Sequence, residues 1–313
     1  MKILLPTTLP LSPDLPSNVT AINYDIDTPI PAEHEDAEVL VVWGNSDDHL
    51  RDSAARLKQL RWVQTLAAGP DQVVAAGFSD NIVITSGRSM HSATVAEHAL
   101  ALTLAAARSL HTLVRAQLGH RWAAELGGRQ PAFDPNAFTT LRGARVSIWG
   151  FGSIAETLAP MLSTLGAEVT GVARSAGERH GVTVIAGSDI DTLLPTTDVL
   201  IMILPGGPGT DTIMNASRLA LLPGHAWLIN VGRGVTVDEP ALIESLRTRS
   251  IGGAALDVTR VEPLPISSPL WDLPNVILTP HSAGGRPLGA DELISSNVAA
   301  LLSGTELINI VAR

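Results

Sequence analysis

The stretch ARVSIWGFGSIAETLAPMLSTLGAEVTGVARSAG, residues 144–177, decides the fold of this chain. An apolar run at 145–149 leads into GFGSIA at 150–155, which matches G-x-G-x-x-A, and apolar residues at helical spacing follow. A strand, a tight glycine turn and a helix in this order predict a dinucleotide site, because the helix N-terminus offers free N–H groups to a pyrophosphate. A purely structural turn is the alternative. The residues expected to meet the dinucleotide here are Gly150, Phe151, Gly152, Ser153 and Ile154.

The end of the second strand in this stretch bears on the choice between NAD and NADP. An acidic residue about 20 positions after the turn normally binds the ribose 2′-hydroxyl of NAD, but no acid lies between Glu168 and Glu178. Ala173 cannot repel a 2′-phosphate, whereas Arg174 and Ser175 can bind one through charge-assisted hydrogen bonds. We therefore predict that NADP is preferred over NAD. The alternative is a solvated Arg174 and a site that accepts both.

On both sides of this stretch, short apolar runs alternate with helical patterns, which indicates parallel sheets with helices on both faces. Strands are expected at 2–5, 38–43, 61–65, 82–85, 145–149, 168–173, 199–203, 225–230, 253–257 and 276–279. Helical spacing occurs at 46–60 and 71–76, in one long run at 93–117, and at 290–303. The predicted fold class is α/β with two doubly wound parallel-sheet domains. The irregular segment 118–140 is either a surface loop or an arm exchanged between subunits.

Composition limits the classes of function. The 313 residues are 45% hydrophobic, carry a formal net charge of −10 and include no cysteine. This acidic balance argues against a nucleic-acid partner, which needs a clustered basic surface. The lack of cysteine excludes disulfides and thiolate metal sites, and we predict no metal site. Because no apolar run approaches the ~18 residues that span a membrane, and residues 1–6 do not resemble a signal peptide, we expect a soluble cytoplasmic protein without a membrane partner.

Three further strand ends carry reactive side chains. Arg233 follows LINVG, Glu262 lies within ALDVTRVEPLP, and His281 follows VILTP. Ligands of open α/β sheets bind at the carboxyl ends of the strands, so these residues should lie near the nicotinamide of the cofactor. Arg233 suits a two-pronged clamp on a carboxylate, His281 suits proton transfer, and Glu262 suits orientation of the imidazole. Singly they could be a surface arginine, a loop acid and a helix-start histidine; together they predict hydride transfer to a 2-keto acid.

These motifs resemble those of the D-isomer-specific 2-hydroxyacid dehydrogenase family over nearly the whole chain. The resemblance is carried by WVQTLAAGPDQV (62–73), TVAEHALALTLAAAR (94–108), LRGARVSIWGFGSIAETLA (141–159), LINVGRGVTVDEPAL (228–242), ALDVTRVEPLP (255–265) and NVILTPHSAGG (275–285). It implies a Rossmann NAD(P)-binding domain at 94–287, inserted in a flavodoxin-like substrate-binding domain formed by 1–93 and 288–313. It also implies a homodimer to which 118–140 contributes.

The resemblance also assigns site residues. Arg233, Glu262 and His281 match the family's catalytic Arg, Glu and His, and Arg233 and His281 are also expected to contact the substrate. The backbone N–H groups of the loop that binds the substrate carboxylate are implied at Ala67, Ala68 and Gly69. Further cofactor contacts are expected at Ala173, Arg174, Ser175, Leu204, Pro205, Thr210, Asn230, Val231, Gly232, Asp257 and Ala283.

The implied activity is reduction of a small 2-keto acid to the D-2-hydroxy acid, or the reverse, with glyoxylate, hydroxypyruvate or a bulkier keto acid as substrate. A formate-dehydrogenase-like enzyme is one alternative, although the resemblance then expects Gln at the position of Glu262. A dinucleotide-sensing interaction module of the same fold is another. The chain departs from the family pattern at Ala155, where Gly is common, and at Pro70, where an aliphatic residue is common.

Overall fold

The computed structural model describes residues 1–129 and 136–311. The chain forms two compact units, Met1–His91 with Arg286–Arg313, and Ser92–Gly285. Both limits of the second unit lie two residues before those expected from the resemblance. The assignment of one unit to substrate and the other to NAD(P) stays a prediction.

The first unit contains a five-stranded parallel sheet. Its strands are β1 (Lys2–Pro6), β2 (Thr20–Tyr24), β3 (Val39–Val42), β4 (Trp62–Thr65) and β5 (Val83–Thr85). Their order across the sheet is β2-β1-β3-β4-β5, which is the flavodoxin-like order. The flavodoxin-like prediction for this unit is thereby confirmed.

Helices cover both faces of this first sheet, at α1 (Asp47–Arg56), α2 (Asp71–Ala75) and the C-terminal helix (Ala290–Ser303). Helix α1 begins after Ser46, whose side chain accepts a hydrogen bond from the His49 N–H. It ends at Arg56, four residues before the predicted limit, because the chain leaves helical geometry at Leu57. The C-terminal helix has the predicted bounds and buries Ile294 and Val298 against one face of the sheet.

Strand β2 is absent from the sequence-based expectations. It lies at the edge of the sheet and pairs with β1, starting from the pair Lys2 and Thr20. Of its five residues only Tyr24 is buried, and the Tyr24 hydroxyl donates to the Val41 carbonyl at 2.8 Å. An edge strand with mostly exposed side chains lacks the continuous apolar run by which buried parallel strands are recognised.

The second unit contains an eight-stranded sheet in the order β13-β12-β11-β10-β6-β7-β9-β8. All its neighbouring strands are parallel except β8, which pairs antiparallel with β9. Within it, β9-β7-β6-β10-β11-β12 has the Rossmann order 3-2-1-4-5-6, which confirms the predicted fold. The strands are β6 (Arg145–Trp149), β7 (Glu168–Ala173), β8 (Gly177–Arg179), β9 (Val182–Ala186), β10 (Val199–Met202), β11 (Trp227–Asn230), β12 (Gly253–Leu256) and β13 (Val276–Leu278).

Helices on both faces of the Rossmann sheet enclose two apolar cores. They are α3 (Ser92–Ala107), α4 (Leu110–Leu118), α5 (Ser153–Thr164), α6 (Ile190–Leu193), α7 (Ala216–Leu219) and α8 (Glu239–Arg247). Leu102 of α3 and Leu158 of α5 are buried on one face, and Leu219 of α7 and Leu242 of α8 on the other. None of the helices in 1–129 and 136–311 is both long and apolar enough to cross a membrane.

The prediction of a single helix over 93–117 is wrong, since α3 and α4 are separate helices. The break lies at Ser109, whose φ of +50° is in the left-handed region. Contacts distant in sequence hold α4 in its own direction: the Arg115 guanidinium donates to the Pro274 carbonyl at 2.6 Å, and the His111 ring meets Trp227 edge-on. No proline or glycine marks this break, so helical spacing alone could not reveal it.

The irregular segment 118–140 is only partly described, because 130–135 lie outside the described residues. Before this gap, Trp122 is exposed, and after it Phe138 and Leu141 are buried in the core between α3, α5 and the sheet. The later part of the segment is therefore attached to its own unit. Exchange of the segment between subunits stays a prediction.

Candidate active site

The glycine turn joins β6 to α5 at the point where the strand order reverses. Gly150 has a φ of +104°, and a side chain there would place its Cβ 2.5 Å from the Ile203 carbonyl oxygen. The N–H groups of Gly150 and Phe151 both donate to the Val172 carbonyl, at 2.9 and 3.1 Å. Glycine is thus needed at 150 both for the backbone conformation and for close contact between the ends of β6 and β10.

The first turn of α5 has the donors and the open space that a pyrophosphate needs. The first helical hydrogen bond runs from the Glu156 N–H to the Gly152 carbonyl at 2.9 Å. The N–H groups of 153–155 therefore have no acceptor within the described part of the chain. An added Cβ at Gly152, whose backbone is extended, would meet nothing within 4 Å. The turn fits a dinucleotide by this test.

The other members of the turn serve its structure. The Phe151 ring is buried and packs against Gly171, where an added Cβ would overlap it. The hydroxyl of Ser92 donates to the Ser153 hydroxyl at 3.1 Å, tying α3 to the start of α5. The Ile154 side chain packs against the core beneath α5. The groups of Phe151, Ser153 and Ile154 that could contact a dinucleotide are their backbone atoms and the Ser153 hydroxyl.

The end of β7 carries the residues expected to choose between NAD and NADP. Ala173 is half-buried, while Arg174 and Ser175 are exposed. Arg179, which the sequence analysis did not single out, reaches this point from β8. Its Nη1 donates to the Phe151 carbonyl at 2.8 Å, and its Nη2 lies 3.2 Å from both the carbonyl and the hydroxyl oxygen of Ser175. Because β8 carries no apolar pattern, spacing gave no signal for this residue.

The loops after β10 and β11 meet through their backbones. A Cβ on Gly232 would lie 2.6 Å from the Leu204 carbonyl oxygen. Asn230 is buried, and its side chain donates to the Arg233 carbonyl and accepts from the Gly232 N–H, both at 3.1 Å. This side chain therefore shapes the turn. Val231 is also buried, and cofactor contacts at these positions stay a prediction.

The loop after β10 is closed by its own hydrogen bonds. The Thr210 hydroxyl donates to the Pro205 carbonyl at 2.7 Å. Leu204 packs against the core of its face, whereas Pro205 is exposed. Of the three residues expected to contact the cofactor here, Pro205 offers an exposed surface, and Thr210 uses its hydroxyl within the loop.

Arg233 lies at the carboxyl end of β11, as the sequence predicts. Its Nη1 donates to the Gly232 carbonyl at 2.8 Å, and its own carbonyl accepts from the Thr236 hydroxyl at 2.6 Å. A side chain on Gly234 would overlap the backbone of Thr259. This glycine therefore brings the Arg233 loop against the loop after β12, which carries Glu262.

His281 and Glu262 are joined by a side-chain hydrogen bond. The His281 Nδ1 lies 2.7 Å from the Glu262 Oε2, and the other Glu262 oxygen accepts from the Thr259 N–H at 3.0 Å. The side chains are 48% and 37% exposed, so both are accessible to a ligand. Because a carboxylate only accepts hydrogen bonds, the proton is assigned to Nδ1 and the Nε2 atom is left for a substrate oxygen.

Asp257 organises the loop that carries His281. Its buried carboxylate accepts from the Thr279 hydroxyl at 2.6 Å, the Ser282 N–H at 2.9 Å and the Ala283 N–H at 3.1 Å. Its backbone carbonyl accepts from the His281 N–H at 2.8 Å. The Asp257 carboxylate and the Ala283 N–H are thus already bonded to each other. A direct contact of either residue with the cofactor stays a prediction.

His98 of α3 is a further member of this group. Its Nε2 lies 3.0 Å from the Thr279 hydroxyl and 3.3 Å from the Asp257 Oδ1. It therefore helps to hold the Asp257 carboxylate from α3. Its helical position gave no sign of this contact, since the partners lie more than 150 residues away in sequence.

In the first unit, the loop after β4 is the one expected to bind the substrate carboxylate. The Ala67 N–H donates to the Thr65 hydroxyl at 3.1 Å, and the Ala67 carbonyl accepts from the Gly87 N–H at 2.8 Å. No acceptor among residues 1–129 and 136–311 is found for the Ala68 and Gly69 N–H groups. These two donors remain available, whereas that of Ala67 is used internally.

A separate polar cluster lies at the amino ends of the strands of the Rossmann sheet. The Asp198 carboxylate accepts two hydrogen bonds from the Arg145 guanidinium, at 2.8 and 3.1 Å, and one from the His225 ring at 2.8 Å. Burial alone would raise the pKa of Asp198, but these hydrogen bonds outweigh it and hold the pKa below its usual value. This cluster joins the starts of β6, β10 and β11. The described residues contain no group of side chains that could hold a metal ion.

Comparison with known proteins shows the family of the chain. Residues 100–283 match the family model described as D-isomer specific 2-hydroxyacid dehydrogenase, NAD binding domain. The chain is 33% identical over 259 residues to glyoxylate/hydroxypyruvate reductase B of Serratia proteamaculans, covering 81% of this chain and 78% of that protein. It is 30% identical over 260 residues to glycerate dehydrogenase of Methylorubrum extorquens, covering 81% of this chain and 79% of that protein.

Solved structures agree. A D-isomer specific 2-hydroxyacid dehydrogenase from Xanthobacter autotrophicus Py2, in complex with NADPH and MES, has a TM-score of 0.81 at 30% identity, covering 99% of this chain and 97% of that one. An NADPH-dependent glyoxylate/hydroxypyruvate reductase from Sinorhizobium meliloti, in complex with NADP and sulfate, has a TM-score of 0.80 at 25% identity, again covering 99% and 97%.

These similarities extend over both units, and the matched NAD-binding segment contains the glycine turn, Arg233, Glu262 and His281. They confirm the predicted class, an NAD(P)-dependent oxidoreductase with a Rossmann domain. The chain belongs to the D-isomer specific 2-hydroxyacid dehydrogenase family.

Proposed function

We propose that this protein reduces a small 2-keto acid to the D-2-hydroxy acid, or catalyses the reverse reaction, with Arg233, Glu262 and His281 as its catalytic residues. The observation that carries the proposal is the 2.7 Å contact between His281 Nδ1 and Glu262 Oε2. This pair follows β12 and β13 at the same sheet edge as Arg233 and the glycine turn. An acid–base pair, a cation and a dinucleotide turn at one edge suit the reduction of a keto acid.

Each of the three residues has a chemical task in this proposal. A bound nicotinamide cofactor supplies or accepts the hydride. Arg233 binds the substrate carboxylate and stabilises the negative charge that develops on the carbonyl oxygen. His281 donates its Nε2 proton to that oxygen during reduction, and removes the hydroxyl proton in the reverse direction. Glu262 fixes the ring so that Nε2 is presented, and balances the positive charge of the imidazolium.

The family resemblance implies a further contact to the substrate carboxylate, from the loop after β4. The unused N–H groups of Ala68 and Gly69 can donate to an anionic oxygen, as backbone donors commonly do. Since both contacts recognise a carboxylate beside a carbonyl, they favour 2-keto acids over simple ketones. Two similar proteins carry the names glyoxylate/hydroxypyruvate reductase and glycerate dehydrogenase, so we propose glyoxylate and hydroxypyruvate as the first substrates to test.

We further propose that NADP is preferred over NAD. The end of β7 presents the small Ala173 and the exposed Arg174 and Ser175, where an NAD-specific chain places an acid. The two solved relatives described above are complexes with NADPH and with NADP.

We also propose the cytoplasmic location that the sequence predicts.

Turnover with a panel of 2-keto acids tests the proposed function. We expect the absorbance of NADPH to fall with glyoxylate, hydroxypyruvate or a larger keto acid, and kcat/KM to be higher with NADPH than with NADH. A clear preference for NADH contradicts the cofactor assignment. Tight dinucleotide binding without turnover of any keto acid favours the sensing module, and oxidation of formate with NAD(P) favours the formate-dehydrogenase-like alternative.

We propose a homodimer formed by the second unit. Leu110, Val114 and Leu118 are spaced four residues apart along α4, and Trp122 follows soon after the end of this helix. All four are exposed, Leu118 by 75% and Trp122 by 91%. A row of exposed apolar residues on a surface helix is typical of a protein contact. A second copy of the chain is the partner that the family resemblance implies.

Light scattering coupled to size exclusion tests the dimer. Leu118→Glu places a charge in this row of apolar residues, so we expect the mass to fall from about twice 32.8 kDa to 32.8 kDa. Leu302→Glu, at an exposed apolar residue of the C-terminal helix, is the matched control and should leave the mass unchanged. A wild-type protein of monomeric mass contradicts the proposal.

A further inference from the structure

Arg179 occupies a corner between the glycine turn and the end of β7. Strand β8 runs antiparallel to β9, which itself pairs with β7, and this return brings Arg179 back toward Ser175. One guanidinium nitrogen donates to the Phe151 carbonyl at 2.8 Å, and the other contacts the carbonyl and hydroxyl oxygens of Ser175 at 3.2 Å. The guanidinium therefore bridges the pyrophosphate turn and the adenosine end of the expected site.

Among the described residues, the charge of Arg179 has no acidic partner. Within 1–129 and 136–311, no carboxylate oxygen lies within 4.0 Å of its nitrogens, although its side chain is half-buried. Arg218, another half-buried arginine of the same unit, lies 2.7 Å from the Asp191 carboxylate. A partly desolvated cation held only by neutral oxygens is costly unless an anion joins it. The corner is thus suited to a negatively charged ligand.

We propose that Arg179 is a specificity-determining residue that binds the 2′-phosphate of NADP together with Arg174 and Ser175. The inference rests on the NADP preference proposed above. The end of β7 is where the adenosine ribose lies in Rossmann sites, so the 2′-phosphate is the anion that reaches this corner. The phosphate oxygens can accept hydrogen bonds from Arg179 Nη2 and from the Ser175 hydroxyl, two groups that already contact each other. The bond to Phe151 keeps the guanidinium in place before the cofactor binds.

Binding measured by calorimetry or fluorescence tests this assignment without turnover. The ligands are NADPH and NADH, together with 2′,5′-ADP and 5′-AMP, which lack the nicotinamide. Arg179→Gln keeps donors for the neighbouring oxygens and removes the charge. We expect it to raise the Kd for NADPH and 2′,5′-ADP by about 10-fold or more, as for a lost charge-assisted hydrogen bond. The Kd for NADH and 5′-AMP should stay within about twofold.

Controls make the outcomes distinct. Arg179→Lys, which keeps the charge, should retain part of the preference, and Arg247→Gln, an exposed residue of α8, should change none of the constants. Equal weakening of NADPH and NADH in Arg179→Gln, or no weakening of either, overturns the assignment while the NADP preference of the wild type stands. A wild type that binds NADH more tightly than NADPH overturns the proposed preference itself, and the assignment with it.

Discussion

Replacing His281 by alanine is expected to lower kcat for 2-keto acid reduction by about 10²–10⁴-fold, the usual contribution of a positioned general acid. The ketone oxygen then lacks the proton that Nε2 donates, and water is a poorly placed substitute. Among the described residues, the His281 imidazole is hydrogen-bonded to Glu262 and to no residue of the glycine turn. The Kd for NADPH should therefore stay within about twofold of the wild-type value. Single-turnover kinetics and cofactor titration measure the two quantities separately.

Glu262→Gln refines this test. The amide keeps the shape of the side chain but loses the charge that balances a protonated His281, so kcat should fall by less than in His281→Ala and cofactor binding should not change. His180→Ala, at an exposed histidine of the same unit, is the matched control and should leave kcat unaltered. Retention of most of the wild-type kcat in His281→Ala would show that another group donates the proton.

The central part of the fold could be predicted closely from the sequence. Strands 145–149 and 168–173 and the C-terminal helix have the predicted bounds, and the other predicted strands agree within two residues at each end. These elements are buried on both faces or bounded by glycine and proline, so their patterns are strong. The break at Ser109 and the edge strand β2 depend on contacts between distant parts of the chain, and local periodicity does not record such contacts. Strands β8 and β9, which were not predicted either, form a short hairpin, and the three residues of β8 carry no apolar pattern.

The candidate site shows the same division. The position of Arg233 and His281 at one sheet edge follows from the rule that parallel strands end together. The side chains of Asp257 and Asn230 form hydrogen bonds within the loops at the strand ends. Sequence spacing does not predict these bonds, because they depend on which N–H groups the folded loops direct at the side chains. Arg179 is hidden for a related reason: its importance comes from an antiparallel return of the chain that carries no apolar signal.

Replacing Gly152 by valine is expected to weaken dinucleotide binding strongly and leave the fold intact. The backbone at this position is extended, and a Cβ there has no neighbour within 4 Å, so we expect the protein to accommodate the side chain. The side chain would fill the space in front of the 153–155 N–H groups, where the pyrophosphate is expected. We expect the Kd for NADPH to rise by more than about 100-fold, which corresponds to about 2.7 kcal/mol.

Gly150→Val provides the contrast that makes this test specific. At a φ of +104°, with the Ile203 carbonyl 2.5 Å from an added Cβ, a side chain strains the backbone and separates the ends of β6 and β10. This variant should lose stability, since a left-handed conformation alone costs a residue with a side chain about 1–2 kcal/mol. Thermal unfolding should therefore separate the two variants, with Gly152→Val near the wild type and Gly150→Val well below it. If Gly152→Val binds NADPH as tightly as the wild type, the dinucleotide does not lie at this turn, and the role assigned to the stretch that decides the fold is wrong.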